Sequence, residues 1–410
     1  MSETFDADLH IHGTYSGATS DKMVFDTIAE QAIYKGLDFV GTGDILHPKW
    51  MEMLKKGLEK VDEGTYQHSE HGTKFVLTTE VEDEQKVHHL LIFPSIQKVE
   101  EFREKLEPYS SDMYIDGRPK VDLTGVEIAE FAADSDSLIG PSHAFTPWTS
   151  IFKEFESLEE CYEDQLKNVD FLELGLSADT FLADRIGELG KLSFLSNSDA
   201  HSPWPNKLGR EFNRFELSEP NASELFESIK KRKNITLNVG LDPELGKYHL
   251  TACSRCYKRF SLKEAEKSGW KCNKCGGTIK KGVYNRIGEL SEFEKPQSPD
   301  FRPYYLHTVP LTEIIALAWN FSNPRSSQVQ KTWRSLVEEF DNEITVLVDT
   351  PIDEIENFTD SEIAFMIQAF RNKELDIVPG GGGKYGELER PAKVINAQKK
   401  ETQKKLSEFG

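Results

Sequence analysis

No run of about 18 uninterrupted apolar residues occurs in the chain, which argues against a membrane-spanning helix. Its start, "MSETFDADLH", lacks the basic segment and apolar stretch of a secretory leader, so the expected location is cytoplasmic, with no membrane partner. No G-x-G-x-x-G follows the first apolar run, and no G-x-x-x-x-G-K-[ST] is present. Dinucleotide-binding and Walker-type phosphate loops are therefore not expected. No internal repeat is visible. Cysteine is scarce: of five, four sit at 253, 256, 272 and 275, and Cys161 stands apart as an ordinary small apolar residue. That clustering suggests metal thiolates before disulfides. Positive charge is also scarce, with a net charge of -21, but it is unevenly spread. Residues 229–286 hold 15 Lys+Arg against 4 Asp+Glu, a basic island on an acidic protein. Such an island is either a local phosphate contact or a solvated face.

What the sequence does contain, over its first 240 residues, is short apolar runs alternating with amphipathic stretches. The runs include "LDFVGTGD", "KFVLTTEVE", "VHHLLIFP", "LIGPSH", "VDFLELGL", "LSFLSNSDAH" and "ITLNVGL". In "MVFDTIAEQAIYKGL", Ile28, Ala32, Ile33 and Leu37 recur near helical spacing. Strands alternating with helices predict an α/β fold with a parallel sheet. About seven strands favour a closed or nearly closed (β/α) barrel, whose reacting groups gather at the C-terminal strand ends. The expected domains are a barrel over 1–240, a cysteine module over 241–288 and a C-terminal mixed α/β domain over 289–410. In the last, "LTEIIALAWN", "SQVQKTWRSLVEEF" and "SEIAFMIQAFRN" read as helices, "EITVLVD" as a strand, and the end as a charged tail.

The polar residues fall where a barrel needs them. "ADLHIHGTYSGATSD" places His10 and His12 at i and i+2, which share a face in extended chain. Asp44, Glu80, His143, Asp199 and His201 end other runs, and His47 follows Asp44 closely. His88 and His89 face opposite ways on a strand, so one of them is expected to be a ligand, with His88 preferred. Mixed imidazole and carboxylate ligands suit Zn2+, Mn2+ or related ions. The set is large enough for two or three ions, with Glu80 able to bridge a pair. Paired ions of this kind hydrolyse phosphate esters through an activated water.

The motifs "DLHIH", "GTGD", "TEVE", "PSH" and "SDAH", in this order, resemble those of the PHP family, the polymerase and histidinol phosphatase domain. The resemblance implies a metal-dependent phosphoesterase on a distorted seven-stranded (β/α) barrel. It places His10, His12, Glu80 and Asp199 at one ion. Glu80, His143 and His88 or His89 would hold a second, and Asp44 and His201 a third. Zn2+, Mn2+ or Mg2+ would serve, with Asp199, Glu80 and His143 as the catalytic set. Two departures are visible. "SGATS" stands where many members carry His or Asp, and Gly43-Asp44 where many have Asp-His, with His47 as a compensating ligand.

A narrower resemblance, to the endonuclease Q family, runs through "GTGDILHPKW", "VHHLLIFP", "DAHSPWPNKLGREFNRFE", the cysteines and "VPGGGGKYGEL". It implies an enzyme that nicks DNA on the 5′ side of uracil, hypoxanthine, xanthine or abasic sites. A sliding clamp is left open as a further partner.

"CSRCYKRFSLKEAEKSGWKCNKC" has the spacing C-x2-C-x15-C-x2-C, so Cys253, Cys256, Cys272 and Cys275 are read as a closed structural zinc site. Arg255, Lys258 and Arg259 decorate it, either as DNA-backbone contacts or as part of a mere brace. Trp148 and Trp204 lie just past ligand histidines, where they would wedge or stack on a base or else fill loop cores. Arg210 and Arg214 would clamp phosphate or pair with the acidic barrel. Gly381, Gly382, Lys384 and Tyr385 belong to a glycine loop that is either a DNA contact or a flexible turn. Three rivals remain. A phosphatase of a small metabolite would need neither the basic island nor the C-terminal third. An amidohydrolase-type deaminase would need a bridging lysine signal. A DNA-binding protein with a vestigial barrel would not keep so full a ligand set.

Overall fold

The structure, a computed structural model, describes residues 2–389, so the charged C-terminal tail lies outside the described residues. The chain divides into two compact units, Met1–Pro243 with Lys281–Leu306, and Glu244–Lys280 with His307–Gly410. The segment 281–306, expected to be shared between the cysteine module and the C-terminal domain, thus belongs with the first unit.

The first unit is mixed α/β. Its strands are β1 (Glu3–Asp8), β2 (Phe39–Gly41), β3 (Glu59–Asp62), β4 (Thr65–Gln67), β5 (Lys74–Val76) and β6 (Thr78–Glu82). They continue with β7 (His88–Ile92), β8 (Leu138–Pro141), β9 (Phe171–Glu173), β10 (Ser193–Leu195), β11 (Phe212–Leu217) and β12 (Ile235–Gly240). A large sheet runs β12-β11-β1-β2-β5-β4-β3, β6-β7-β8 form a second sheet and β9-β10 a third. The expected parallel pairing holds for β1-β2-β5 and β9-β10. It does not hold for β11 beside β1 and β12, nor for β6-β7-β8, which are antiparallel. For β6 and β7 the cause is the connection: five residues can make a hairpin but not a crossover.

The sheets meet through side chains as well as ladders. Asn213 receives the Ser196 N–H and donates to the carbonyls of Ala7 and Ser196. Asn238 donates to the Phe194 carbonyl, and Asn197 accepts from the Leu9 N–H. These buried amides add hydrogen bonds to backbone groups of β1, β10 and the segments that follow them. Behind them lies an apolar core that includes Leu9, Phe39, Val76, Leu90, Leu138, Phe171, Leu195 and Phe215. Among helices packed around it, Phe25–Lys35 buries Ile28, Ala29 and Ala32 and stops at Gly36, whose φ of 98° suits glycine.

In the second unit, Ala252–Cys253 and Ile279–Lys280 pair as two short strands around the cysteines. Helices Leu311–Ala318, Ser327–Glu339, Ile352–Phe358 and Ser361–Arg371 form a bundle. "EITVLVD" is a helical turn, not the expected strand. Its β-branched residues favour a strand only where a partner strand exists. Here Asn342 caps the Thr345 N–H, and the Arg371 guanidinium collects the carbonyls of Val346, Leu347 and Thr350. No helix among the described residues is long and apolar enough to cross a membrane.

Candidate metal centre

Segments remote in sequence converge on the Glu80 carboxylate, which is 1% exposed. Its Oε1 lies 3.1 Å from His88 Nδ1, 3.1 Å from His143 Nε2 and 3.5 Å from His10 Nε2. Its Oε2 lies 3.5 Å from His12 Nε2. Asp199 Oδ1 adjoins the same imidazoles, 3.3 Å from His12 Nε2 and 4.0 Å from His10 Nε2, with His201 Nδ1 3.4 Å away. Three groups of potential ligands share these residues: His10–His12–Glu80, His12–Asp199–His201 and Glu80–His88–His143. His10 Nε2, His12 Nε2, Glu80 Oε1 and Asp199 Oδ1 are buried atoms with no hydrogen-bond partner of good geometry among the described residues. Atoms of this kind cost free energy unless something engages them, and all are good donors to a divalent ion. The residues therefore fit the metals that the sequence resemblance to the PHP family implies.

His10, His12 and the turn at His143 are held from behind. Glu173 accepts from His10 Nδ1 at 2.9 Å, from the His143 N–H at 2.7 Å and from Asn197 at 2.8 Å. Asp44 accepts from His12 Nδ1 at 3.0 Å, from the Gly13 N–H at 2.6 Å and from Ser16 Oγ at 2.8 Å. Carboxylates placed like this turn the other ring nitrogen toward the centre. The backbone is strained where the site is formed: φ is 50° at Asp44, 30° at His143 and 48° at Asp199. Gly43 leads into Asp44 because a Cβ there would lie 2.1 Å from the Ile11 carbonyl.

The electrostatics favour cations. Burial opposes the charge on Glu80, but the surrounding imidazoles, led by His88 and His10, hold its pKa well below the ordinary carboxylate range. Burial alone would lower the pKa of His10, yet Glu173 and Glu80 raise it to about 9. That value lies above the ordinary 6.5, so protonated His10 stabilises the metal-free fold fully below pH 6.5. This contribution is lost as pH rises through about 9. A metal needs the neutral ring, so binding must displace the proton in this window. Apparent metal affinity is expected to climb toward about tenfold per pH unit between these limits. Titration calorimetry in buffers of different ionisation enthalpy would detect the released proton. Affinity that stays flat from pH 6.5 to 9 would contradict the assignment.

Two expected ligands stand elsewhere. Asp44 is in none of the three groups: its two oxygens are engaged by His12, Gly13 and Ser16, which places it behind the His12 ring. His47 is also outside them, buried and stacked on Tyr15 with ring centroids 4.3 Å apart. His88 and His89 do face opposite ways. His88 turns to Glu80, while His89 bonds Tyr162 at 2.8 Å and Asp83 at 3.2 Å. Two residues at the site were not anticipated. Glu173 carried a weaker signal than Asp44, since it lies inside the run "VDFLELGL" and not at its end. Arg118, whose Nη1 lies 3.2 Å from Glu80 Oε2, carried none, since it comes from the loop "DGRPK".

Trp148 and Trp204 are 49% and 47% exposed. Arg210 donates twice to the Ser198 carbonyl, next to Asp199, and Arg214 pairs with Asp6 through two hydrogen bonds. In the second unit the four cysteine sulfurs form one potential ligand group, with Cys253 and Cys275 3.5 Å apart and Cys256 and Cys272 3.6 Å apart. The N–H groups of Arg255 and Lys274 donate to Cys253 and Cys272. Burial works against ionisation of Cys253, but the backbone N–H groups of Cys256 and Arg255 prevail and bring it down to about 6. Thiolates are what zinc requires. Arg255 donates to the Cys275 carbonyl, Lys258 to Asn273 and Arg259 to the Pro379 carbonyl. Gly381 bridges to Leu250, and Gly382, at φ 65°, sits on the Cys253 carbonyl. Lys384 pairs with Glu387, and Tyr385 is 66% exposed.

Residues 310–374 match the family described as the MJ0043 C-terminal domain. The protein MJ0043 of Methanocaldococcus jannaschii is 48% identical over 258 residues, covering 62% of this chain. The chain spans about a third, 32%, of that relative's length. The crystal structure of the lesion-specific endonuclease PfuEndoQ from Pyrococcus furiosus is 51% identical, with a TM-score of 0.92 over 96% of this chain and 97% of that one. A structure of Endonuclease Q with a 27-mer duplex substrate bearing an abasic lesion at the active site is 50% identical, with a TM-score of 0.90. It aligns with 96% of this chain and 98% of that one. With half the residues shared almost end to end and one backbone in common, the chain belongs to the endonuclease Q family.

Proposed function

We propose that this chain is a DNA-repair endonuclease that hydrolyses the phosphodiester on the 5′ side of a deaminated base (uracil, hypoxanthine or xanthine) or of an abasic site. The observation that carries the reading is the convergence on Glu80. A full imidazole–carboxylate constellation survives in a chain that is 51% identical, nearly end to end, to a lesion-specific endonuclease. His10, His12, Glu80 and Asp199 would hold one ion. Glu80, His88 and His143 would hold a second, and His201 with His12 and Asp199 a third, as Zn2+, Mn2+ or Mg2+. Such ions supply a water of lowered pKa and offset the charge of the phosphate. The chain's own residues fix the geometry: Glu173 and Asp44 orient His10 and His12, and Glu173 also holds the turn at His143. The four cysteines would hold a structural zinc. We also read the first unit as a distorted seven-stranded barrel, a form that gathers reacting groups at its strand ends.

Reading a lesion in a duplex requires unstacking it, which costs roughly a few kcal/mol. The exposed Trp148 and Trp204 suit that wedging and stacking role. Lys258, Lys384 and Tyr385, with Arg255 and the glycine loop beside them, suit a backbone contact that ignores sequence. Arg210 and Arg214 are engaged by Ser198 and Asp6, so a phosphate role for either is not proposed. A sliding clamp has no support in the comparisons and is not proposed.

The test is direct. Labelled duplexes carrying one uracil, one hypoxanthine or one abasic site are incubated with metal-loaded protein, beside small phosphomonoesters. A nick 5′ to the lesion is expected, with at least about a 10³-fold loss in Asp199→Asn. Cleavage of monoesters alone would replace this reading by the small-metabolite phosphatase.

A further inference from the structure

We propose that Arg118 is a catalytic residue, which binds the scissile phosphodiester group through N–H bonds to a non-bridging oxygen. The inference rests on the endonuclease reading above.

Glu80, Glu82, Asp199 and the orienting pair Asp44 and Glu173 make the centre rich in carboxylates, which repel a nucleic-acid phosphate. Arg118 is the guanidinium that reaches into this centre, with Nη1 3.2 Å from Glu80 Oε2. A guanidinium has five N–H donors in a planar fork, so one contact to Glu80 leaves most of them unused. Its Nε is buried and has no hydrogen-bond partner among the described residues, although the side chain as a whole is 23% exposed. A buried donor left unsatisfied needs an explanation, and an incoming phosphate oxygen supplies one. Arg–phosphate contacts are also the strong, geometrically specific kind.

The loop is built to hold Arg118 in place. Asp116 accepts from the Arg118 N–H at 3.0 Å, and the Gly117 N–H donates to the Tyr15 carbonyl. On the far side the Glu82 N–H donates to the Pro119 carbonyl and the Val121 N–H to the Glu82 carbonyl, so the chain runs as a short parallel partner to β6. A Cβ at residue 117 would lie 2.4 Å from the Asp44 carboxylate, so only glycine lets the loop come this close. These anchors fix the Arg118 backbone between Asp44 and Glu82, two residues along β6 from Glu80. A guanidinium held that way can stabilise developing charge without reorganising.

In the hydrolysis a water oxygen bonds to phosphorus and the bond from phosphorus to the 3′ oxygen breaks. One proton of that water ends on the 3′ oxygen, and the 5′ phosphate stays with the lesion-bearing strand. Arg118 accompanies the non-bridging oxygens as their charge rises and transfers no proton.

Arg118→Ala and Arg118→Lys would be compared with the unaltered protein on a uracil duplex, recording kcat, KM and metal content per chain. In Arg118→Ala, kcat is expected to fall about 10²–10³-fold with metal content unchanged. Arg118→Lys should recover part of the loss, and added guanidinium should partly rescue the alanine variant. Activity of Arg118→Ala within a factor of three or so of the unaltered protein overturns the proposal. So does a loss of metal that tracks the loss of activity in both variants without guanidinium rescue, because Arg118 would then only steady Glu80. Should Arg118→Ala fail to fold, Arg118→Lys decides alone: a soluble, metal-replete lysine variant of full activity overturns the proposal, and one that is slowed supports it. An unaltered protein that nicks no lesion duplex overturns the endonuclease reading instead, and this proposal with it.

Discussion

Glu80→Gln is expected to leave a folded protein that has lost at least one metal ion per chain and nicks lesion-bearing DNA at least about 10³-fold more slowly. Two of the three ligand groups include Glu80, and the third adjoins it through His12. Glutamine has nearly the same volume, so the packing around a residue 1% exposed is retained. What is lost is the anion that His10, His12, His88, His143 and Arg118 all face. Leaving His10, His12 and His88, whose pKa values the neighbouring carboxylates raise, protonated around a neutral amide would be costly. At neutral pH they release their protons instead, and the fold survives with a changed titration. That separates this variant from a merely unfolded one. Its thermal unfolding in the metal-free state should lose much of the pH dependence that His10 confers, since Glu80 is one of the two carboxylates that raise the His10 pKa most. Metal content by mass spectrometry and single-turnover nicking check the prediction. Full metal occupancy with ordinary rates would mean that the ions, and the chemistry, lie elsewhere.

How much of this site the sequence discloses depends on how each residue is held. His10 with His12 and Asp199 with His201 are pairs at i and i+2, so local spacing shows that each shares a face. The opposite orientations of His88 and His89 follow from the same alternation. Asp44 shows the limit of that logic. An acid at a strand end is legible, but whether it meets an ion or the back of an imidazole depends on how far the next segment stands. Here the tight turn at Gly13 and Ser16 takes up its second oxygen. Glu173 is less legible, because it lies inside "VDFLELGL" with Leu174 and Leu176 after it, where an acid reads as an ordinary strand residue. Arg118 was not legible: the loop that brings it to Glu80 is fixed by backbone bonds to β6 and by the lack of a side chain at Gly117. No periodicity records such contacts. The antiparallel strands were missed for a related reason. An apolar run marks a strand but carries no direction, and only the short 83–87 connection forces one for β6 and β7. In "EITVLVD" a local preference for strand yields to tertiary hydrogen bonds from Arg371.

Removing one thiolate, as in Cys272→Ser, is expected to abolish zinc binding at the cysteine module and to unfold residues 244–280 while leaving the Glu80 centre loaded. Little else holds this module together. Its two strands are two residues each, its helix spans Leu262–Lys267, and its core is Phe260, Ala265 and Ile279 with Cys253 and Cys272 themselves. So small a cluster cannot offset the conformational entropy of some 35 ordered residues. Zinc on four thiolates supplies about 10–16 kcal/mol in modules of this kind, so the binding free energy is the folding free energy. The loss should spread to the glycine loop, because Gly381 bridges to Leu250 and the Gly383 N–H donates to the Lys247 carbonyl. No residue of the three Glu80-linked groups lies in the module, so their ions should remain. Zinc counted per chain should drop by one, and limited proteolysis should open new sites between 244 and 280. If the exposed lysines here contact the DNA backbone, affinity for a lesion duplex should fall together with its salt dependence. A Cys272→Ser protein that keeps its zinc and resists protease would show that the sulfurs, although within 3.6 Å of one another in pairs, are not what holds this segment together.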